Sequence, residues 1–357
     1  MNANTNSTNP KANAIPVGIL GASGYTGAEL VRLLAHHSGV EIRAITADRK
    51  AGQAMATVFP HLGGVKLPPL STIEETDFDA LEAVFLGLPH GTTQDVVAAL
   101  PDHLKVIDLS ADFRLQSLDS YKQWYGHDHR APALQKDAVY GLTEHARDAI
   151  TKARLIACPG CYPTASLMPL VPLLKAGLIS AEDIIIDAKS GASGAGRAER
   201  EANLFAEVSE GIHAYSIGGH RHAPEIEQML SGTAGAPITV NFTPHLVPMN
   251  RGILATIYVR LSAGMDADGL RAALEAAYGT EPFVRVLPKG VAPATRHVRG
   301  SNHCLIGVFP DRLPGRAILV SAIDNLVKGA AGQAVQNFNL VAGLPETTAL
   351  EQEPLFP

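Results

Sequence analysis

IPVGILGASGYTGAEL, residues 15–30, is the stretch of sequence that decides the fold. A short apolar run at 15–20 leads directly into a glycine-rich loop, and leucines at helical spacing follow the loop. Such a loop allows a tight turn and lets a pyrophosphate approach the backbone, while the helix after it offers free N–H groups to the phosphates. The glycines have GxxGxxG spacing, a variant of the GxGxxG pattern: they are Gly21, Gly24 and Gly27. We therefore predict a dinucleotide-binding loop, with a glycine-rich turn that binds nothing as the alternative.

The end of the second predicted strand bears on the choice of cofactor. An NAD enzyme usually carries Asp or Glu about 20 residues after the loop to hold the ribose hydroxyls. Here the strand ends at Thr46 and is followed by Asp48, Arg49 and Lys50. A hydroxyl and two cations suit a 2′-phosphate, which favours NADP as the cofactor. Asp48 leaves the choice open, and an exposed polar surface is the alternative for Arg49 and Lys50.

The pattern of apolar residues changes near residue 160. Before that point, short strands alternate with helices, which indicates a parallel sheet with crossover helices. Beyond it, longer strands with fewer crossovers indicate a mixed or antiparallel sheet in a second domain. The first two predicted strands are 15–20 and the strand that ends at Thr46. The later predicted strands are 83–89, 105–110, 182–191, 253–261, 303–308 and 317–323. The predicted helices include 92–100, 266–279 and 325–341. The predicted fold is α/β, a Rossmann-type domain with a second α+β domain carrying a mixed sheet.

Composition and charge exclude several classes of protein. The 357 residues are 46% hydrophobic and 18% charged, as in ordinary globular proteins. The net charge of -6 gives no reason to expect binding to nucleic acid or to an acidic membrane surface. Residues 1–13 are polar and lack the apolar core of a signal peptide, so we predict a disordered tail. Three cysteines in so long a chain argue against a disulfide scaffold and fit the cytoplasm.

A cysteine pair lies in ACPGCYPTA, residues 157–165, between an apolar run and a predicted helix. A thiol at such a turn is near helix N–H groups, which lower its pKa and favour a nucleophilic thiolate. Cys158 and Cys161 also form a CxxC pair, so a redox pair, a zinc site and two buried thiols are alternatives. For zinc, His303 and Cys304 are the other candidate ligands, and adjacent residues have poor ligand spacing.

The segment GGHRHAPEIEQ, residues 218–228, concentrates ionisable side chains. His220 and His222 share a face of an extended segment, and Pro224 begins a predicted helix that carries Glu225. A histidine close to a carboxylate can act as an oriented acid–base group. A metal site built from the HxH pair and Glu225 is an alternative that no further ligand motif supports, and a polar loop is the other.

Several segments, in one common order along the chain, resemble the N-acetyl-γ-glutamyl-phosphate reductase family, which is related to aspartate-semialdehyde dehydrogenase. These segments are GASGYTGAEL (21–30), LPHGTT (88–93), DLSADFRL (108–115), CPGCYPTA (158–165), DAKSGASGAGR (187–197), GGHRHAPEIEQ (218–228), FTPHLVPMNRGI (242–253) and DNLVKGAAGQAVQNF (324–338). The resemblance covers nearly the whole chain after residue 13. Cys158 stands where the commonest form of the motif has Asn.

The resemblance implies a role for individual residues. The catalytic residues it implies are Cys161 as nucleophile, His222 as acid–base group and Glu225 as the carboxylate neighbour of that histidine. The substrate-binding residues are Arg114, which would hold the phosphate, with His220, Arg221 and Ser190. The cofactor-binding residues are Gly21, Ser23, Gly24, Tyr25, Thr26, Gly27, Thr46, Arg49, Gly191 and Asn325, of which Thr46 and Arg49 follow from the strand end above. No metal is expected.

The family's reaction, as the resemblance implies, reduces N-acetylglutamyl phosphate to the semialdehyde with NADPH in arginine biosynthesis. Cys161 would attack the acyl carbon and release phosphate, and the thioester would accept hydride. His222 would donate a proton as the thiohemiacetal collapses. The alternatives are the same chemistry on aminoadipyl or aspartyl phosphate, an NADP-binding module without activity, and a zinc redox protein.

The resemblance also suggests how the chain is organised and assembled. Residues 14–157 and 325–357 would form the NADP-binding domain, and 158–324 the catalytic and oligomerisation domain. A homodimer or homotetramer in the cytoplasm is expected, with a small acyl phosphate as the substrate and with neither nucleic acid nor membrane as a partner.

Overall fold

Six parallel strands form the first sheet of the computed structural model, which describes residues 14–199 and 201–357. The strands are β1 (Ile15–Leu20), β2 (Val40–Thr46), β3 (Ala83–Leu86), β4 (Lys105–Asp108), β5 (Val139–Tyr140) and β6 (Leu155–Ala157). Their order is β2-β1-β3-β4-β6-β5, and every neighbouring pair is parallel. The predicted tail at 1–13 lies outside the described residues.

The strand order reverses direction at β1: the chain passes from β1 to β2 on one side and then crosses back to β3 on the other side of β1. Ligands of open parallel sheets bind at such a point, in the crevice at the carboxyl ends of the strands. The glycine loop follows β1 there. The predicted Rossmann-type sheet is confirmed.

Helices cover both faces of this sheet. They are α1 (Tyr25–Leu34), α2 (Met55–Val58), α3 (Thr93–Ala99), α4 (Leu118–Tyr125), α5 (Pro132–Asp137) and α6 (Thr143–Ile150). Leu30 of α1 packs in one apolar cluster with Phe85 of β3, and Val97 of α3 packs in another with Val84. Side chains on alternating positions of β3 therefore face opposite cores, and burying each one stabilises the fold by about 1.5–3 kcal/mol.

A second sheet of seven strands fills the rest of the chain. Its strands are β7 (Ile185–Gly191), β8 (His213–Ala214), β9 (Asn241–Val247), β10 (Ile253–Arg260), β11 (Val284–Val286), β12 (Cys304–Pro310) and β13 (Arg316–Ile323). They lie in the order β11-β12-β13-β10-β7-β9-β8. The pairs β11–β12 and β7–β9 are parallel and the others are antiparallel, which confirms the predicted mixed sheet.

Three helices pack with the second sheet in a single large core, which includes Leu170, Ile226 and Leu270. The helices after α6 are α7 (Cys161–Lys175), α8 (Phe205–Val208), α9 (Ala223–Ala234), α10 (Ala267–Tyr278) and α11 (Gly332–Val341). The helix predicted to begin at Pro224 is α9. In contrast, α11 returns to the first sheet, where Phe338 packs against Phe85.

Two strands are shorter at their carboxyl ends than the sequence predicted. The strands predicted at 83–89 and 105–110 end at Leu86 and Asp108. The residues beyond them, Gly87 to Pro89 and Leu109, line a cavity instead of continuing the sheet. Strand β9 was missed because it contains Pro244, which cannot donate a ladder hydrogen bond.

The helix predicted over 325–341 is interrupted. A π-helical turn, Val327–Ala331, comes before α11, and backbone hydrogen bonds run from Gly329 N–H to the Asp324 carbonyl and from Ala331 N–H to the Leu326 carbonyl. The Asp324 carboxylate also accepts from the N–H of Leu326 at 2.8 Å. Such turns are frequent at functional sites, and this one places Gly329 against Cys161.

Candidate active site

A cavity of about 1260 Å³ joins the predicted cofactor loop to the predicted nucleophile. Its lining comes from the glycine loop, the segment after β2, the cysteine loop, the segment after β7 and the π-helical turn. The predicted site residues among the lining are Gly21, Ser23, Gly24, Tyr25, Thr26, Arg49, Arg114, Cys161, His222 and Asn325. The structure places the other seven behind or beside this lining: Gly27, Thr46, Ser190, Gly191, His220, Arg221 and Glu225.

The glycine loop has the geometry that a pyrophosphate requires. Gly21 has φ +88°, and a Cβ there would lie 2.5 Å from the carbonyl oxygen of Gly87. A Cβ at Gly27 would lie 2.5 Å from Gly21 O, so this glycine lets α1 pack closely on the loop. No side chain caps the start of α1, where Gly24 is the N-cap, so its first N–H groups can bind an anion. These residues fit a dinucleotide phosphate.

Thr46 lies behind the loop, which corrects its predicted position in the cofactor site. Its side chain is 2% exposed, and its hydroxyl accepts a hydrogen bond from the Gly21 N–H at 3.2 Å. The hydroxyl therefore fixes the turn, whereas the residues after β2 that line the cavity are Ala47, Asp48, Arg49 and Lys50.

Cys161 is the first residue of α7, with Gly160 as its N-cap. The thiol is partly buried and lines the cavity, as predicted for a nucleophile. Cys158 also touches the cavity, but its side chain is fully buried and accepts a hydrogen bond from Asn337 Nδ2 at 3.7 Å. All three cysteines are free. The two thiols of the CxxC pair therefore differ in solvent exposure, and Cys161 is the accessible one.

The expected fall in the pKa of Cys161 does not occur in this structure. Burial raises the pKa of the thiol to about 11, and the charge of Glu225 adds to that rise. The Arg114 guanidinium and the helix N–H groups of Tyr162 and Cys161 act in the expected direction, but burial outweighs them. The sequence showed the helix terminus and not the apolar surroundings, so the direction of the prediction was wrong. A neighbouring base is therefore needed to make the thiolate.

His222 lies directly over the cysteine loop. A Cβ at Gly160 would overlap its imidazole, 2.8 Å from both Cδ2 and Cε1. Burial lowers the pKa of His222 well below its usual value, and the neighbouring His220 and Arg114 lower it further. Its Nδ1 has no hydrogen-bond partner among the described residues. A neutral imidazole that lines the same cavity as Cys161 is a candidate general base.

Glu225 does not hydrogen-bond to His222, which corrects its predicted role as the carboxylate neighbour of that histidine. Its Oε1 accepts from the Gly160 N–H at 2.7 Å and from the Tyr140 hydroxyl at 2.8 Å, and Oε2 lies 3.4 Å from Arg114 Nη1. With its side chain 1% exposed, Glu225 is a buried anchor for the turn that presents Cys161.

Arg114 is held in place by the backbone. Its Nε donates to the Cys158 carbonyl at 2.8 Å, and Nη2 donates to the Leu109 carbonyl at 2.9 Å. Burial alone would lower the pKa of Arg114, but the neighbouring groups together, Glu225 foremost among them, outweigh burial and raise it. This guanidinium remains charged beside the nucleophile, as a phosphate contact requires.

The end of β7 and the start of the π-helical turn meet at the cavity. Asn325 Oδ1 accepts from the Gly252 N–H at 2.7 Å, and Nδ2 donates to the Ser193 hydroxyl at 2.9 Å. Gly191 is packed so closely on Asn250 that a Cβ would lie 2.8 Å from its carbonyl. The Ser190 hydroxyl, 2% exposed, donates to the Gly191 carbonyl.

The two other residues predicted to bind substrate take different positions. His220 packs among aromatic rings, 5.6 Å from Tyr162 and 5.3 Å from Phe242, and burial lowers its pKa to about 4. Its Nδ1 accepts from the backbone N–H of His222 at 3.1 Å, so it supports that residue. Arg221 is exposed, 5.5 Å from the Tyr125 ring.

Three further residues were missed by sequence reasoning. Tyr140 binds Glu225, Gly329 packs on Cys161, and Arg197 donates to the Ser23 carbonyl of the glycine loop. Arg197 could have been identified from the sequence, because it belongs to the segment DAKSGASGAGR. The contacts of Tyr140 and Gly329 depend on tertiary packing and could not.

Comparison with known proteins agrees with this arrangement. Residues 16–153 match a family model described as the NAD binding domain of semialdehyde dehydrogenase, and residues 161–325 match its dimerisation domain. An N-acetyl-gamma-glutamyl-phosphate reductase of Rhodospirillum rubrum is 63% identical over 348 residues, which are 96% of this chain and 99% of that protein. The chain belongs to the N-acetyl-γ-glutamyl-phosphate reductase family. The predicted resemblance is confirmed.

A plant relative and two solved structures extend this family assignment. A probable chloroplastic N-acetyl-gamma-glutamyl-phosphate reductase of Arabidopsis thaliana is 59% identical, covering 96% of this chain and 86% of that protein. Aspartate semialdehyde dehydrogenase II from Vibrio cholerae shares the fold at a TM-score of 0.71 and 20% identity, covering 92% of this chain and 99% of that one. The Candida albicans enzyme with NADP has a TM-score of 0.69 at 18% identity, covering 92% and 98%.

The described residues contain neither a metal-binding cluster nor a membrane-spanning helix. No group of three or more His, Cys, Asp or Glu side chains in that part of the chain could hold a metal ion. None of the helices described there is long and apolar enough to cross a membrane.

Proposed function

We propose that the chain catalyses the NADPH-dependent reduction of N-acetyl-L-glutamyl 5-phosphate to N-acetyl-L-glutamate 5-semialdehyde and phosphate, a step of arginine biosynthesis. The observation that carries the proposal is that Cys161, His222 and the glycine loop line one cavity. A thiol beside a dinucleotide loop supports acyl transfer to sulfur followed by hydride transfer. The relatives at 63% and 59% identity bear the name of this activity.

Formation of the thioester begins with neutral His222, which accepts the proton of the Cys161 thiol. The thiolate attacks the acyl carbon, and the carbon–oxygen bond to phosphate breaks with its electron pair going to oxygen. His222 then gives its proton to the departing phosphate. The charge of Arg114 and the N–H groups at the start of α7 stabilise the negative charge on the acyl and phosphate oxygens.

The reduction uses the hydride that bound NADPH supplies. The oxyanion that results collapses to the aldehyde, and the carbon–sulfur bond breaks with Cys161 leaving as a thiolate. His222 then relays a proton from solvent to the sulfur. One proton is therefore consumed in each turnover. Asn325 and Gly191 are proposed to border the nicotinamide end of the cofactor.

The remaining assignments extend this proposal. Residues 14–157 with 325–357 form the NADP-binding domain, and 158–324 the catalytic and oligomerisation domain, as the return of α11 to the first sheet supports. We also propose a homodimer or homotetramer, supported by the match to a dimerisation domain, and a cytoplasmic location, supported by three free cysteines.

The reverse reaction tests the proposal. NADP reduction is followed with N-acetylglutamate semialdehyde, with and without inorganic phosphate, and with aspartate semialdehyde and the aminoadipate analogue as competing substrates. We expect reduction that requires phosphate and that prefers the N-acetylglutamate compound. Equal rates without phosphate would exclude the acyl-phosphate chemistry, and a preference for another aldehyde would reassign the substrate.

A further inference from the structure

Arg197 reaches from the segment after β7 to the glycine loop of the first sheet. Its Nη1 donates to the Ser23 carbonyl at 3.0 Å, and its guanidinium carbon lies 4.4 Å from the centroid of the Phe59 ring. The side chain is exposed and lines the cavity. The guanidinium is therefore held at two points, while most of its N–H donors remain available.

The cavity wall around Arg197 is rich in cations. Arg49 and Lys50 line the same cavity, together with Asp48 and Glu199. None of the described carboxylates forms an ion pair with Arg197. Three cations against two carboxylates leave this wall with an excess of positive charge, which suits a phosphate group.

The position of Arg197 relative to β2 indicates which phosphate group of the cofactor it could bind. In Rossmann folds the adenosine ribose lies beside the end of the second strand, where an acidic residue contacts its hydroxyls in NAD enzymes. Here β2 ends at Thr46, and Phe59, the ring under Arg197, belongs to the segment that follows. Arg197 thus lies on the β2 side of the glycine loop, where the ribose 2′ position is expected.

We propose that Arg197 binds the 2′-phosphate of NADPH and is a cofactor-specificity residue that the second domain contributes to the first. This inference deepens the proposed function and rests on it. Arginine is suited to this role because its planar fork forms paired hydrogen bonds with phosphate oxygens. The contacts with Ser23 and Phe59 hold the fork in position before the cofactor arrives, which lowers the entropy lost on binding.

Calorimetric titration of the full chain with NADPH and with NADH tests the inference, because the two differ in the 2′-phosphate. In Arg197→Gln, which removes the charge and retains an amide donor, we expect the Kd of NADPH to rise about 10- to 100-fold and the Kd of NADH to change less than about twofold. Arg197→Lys should recover part of the affinity. Arg312→Gln, at an exposed arginine in the β12–β13 turn, is the matched control and should bind like wild type.

The outcomes separate this inference from the proposed function. An Arg197→Gln protein that keeps the wild-type preference for NADPH would overturn the inference alone. Equal weakening of NADPH and NADH would also overturn it, because the pyrophosphate or the fold would then be responsible. A wild-type protein that binds NADPH no more tightly than NADH would overturn both the inference and the proposed cofactor.

Discussion

Glu225 accepts a hydrogen bond from the backbone N–H of Gly160 at 2.7 Å, and this contact joins α9 to the turn that presents Cys161. The same oxygen accepts from the Tyr140 hydroxyl, and the other lies 3.4 Å from Arg114. One carboxylate thus fixes the position of the nucleophile, of a tyrosine and of a cation. Its charge also raises the pKa of the Cys161 thiol, so position and reactivity are linked.

Glu225→Gln separates the two effects. The amide oxygen can still accept from Gly160 and Tyr140, but the negative charge is lost. We therefore expect the pKa of Cys161 to fall, and the rate of alkylation by iodoacetamide to reach half its maximum at a lower pH than in wild type.

Glu225→Ala is the matched comparison for that variant, because it removes the acceptor as well. Two buried donors then lack partners, and each should lower the free energy of unfolding by about 1–3 kcal/mol. A pH profile of alkylation that is the same in Glu225→Gln and wild type would show that the charge does not reach Cys161.

Alkylation of the wild-type protein tests the state of the nucleophile. The thiolate is the reactive form, and burial raises the pKa of Cys161 to about 11. Below that pKa the thiolate fraction rises about tenfold per pH unit, so the alkylation rate should climb steadily between pH about 7 and about 10. A plateau near neutral pH would contradict a raised pKa.

Cys161→Ser should lose turnover and labelling while retaining NADPH binding, whereas Cys158→Ala should still be labelled.

Local sequence patterns predicted most of the fold because they report local physics. The apolar run before Gly21 and the helical leucines after it were enough to place β1 and α1. The turn before Cys161 was likewise visible as a strand-to-helix junction. The pattern did not show how deeply the thiol is buried, and burial decides the direction of its pKa.

Contacts between distant segments could not be predicted in the same way. Glu225 and Gly160 are 65 residues apart, and no spacing rule relates them. Proximity in sequence suggested His222 as the partner of Glu225, but the first turn of α9 directs the carboxylate to the cysteine loop. The histidine and the carboxylate therefore act on the same turn from different sides.

Gly160→Ala tests the position of His222 without altering any ionisable group. The backbone of Gly160 has φ -65° and ψ 158°, which alanine adopts readily. Its methyl group would overlap the His222 imidazole and displace it. We expect the turnover rate to fall by about two to four orders of magnitude, as for His222→Asn, which removes the acid–base group directly.

Two controls accompany that prediction: the turnover rate of His220→Asn and the affinity of Gly160→Ala for NADPH. His220 supports His222 through a backbone contact, so its replacement should reduce the rate less than that of His222. NADPH binding should be unchanged in Gly160→Ala. Near-wild-type turnover in both Gly160→Ala and His222→Asn would move the acid–base role to another group.

Lys328, in the π-helical turn, forms a fully buried ion pair with Glu144. Lys328 Nζ lies 2.6 Å from Glu144 Oε1 and 2.7 Å from Gln336 Oε1, and both charged side chains are 0% exposed. Burial alone would raise the pKa of Glu144, but the Lys328 charge and the hydrogen bonds to the carboxylate together outweigh burial and lower it. Lys328→Met leaves that carboxylate buried without a cation, so the free energy of unfolding should fall by about 3–5 kcal/mol, measured by urea denaturation. Adding Glu144→Gln should recover part of the loss, since the uncompensated charge is then gone.

Lys289→Met, at an exposed pair with an N–O distance of 2.7 Å, should leave the unfolding midpoint unchanged. A double variant no more stable than Lys328→Met would show that packing of the lysine stem, and not its charge, stabilises the π-helical turn behind Cys161.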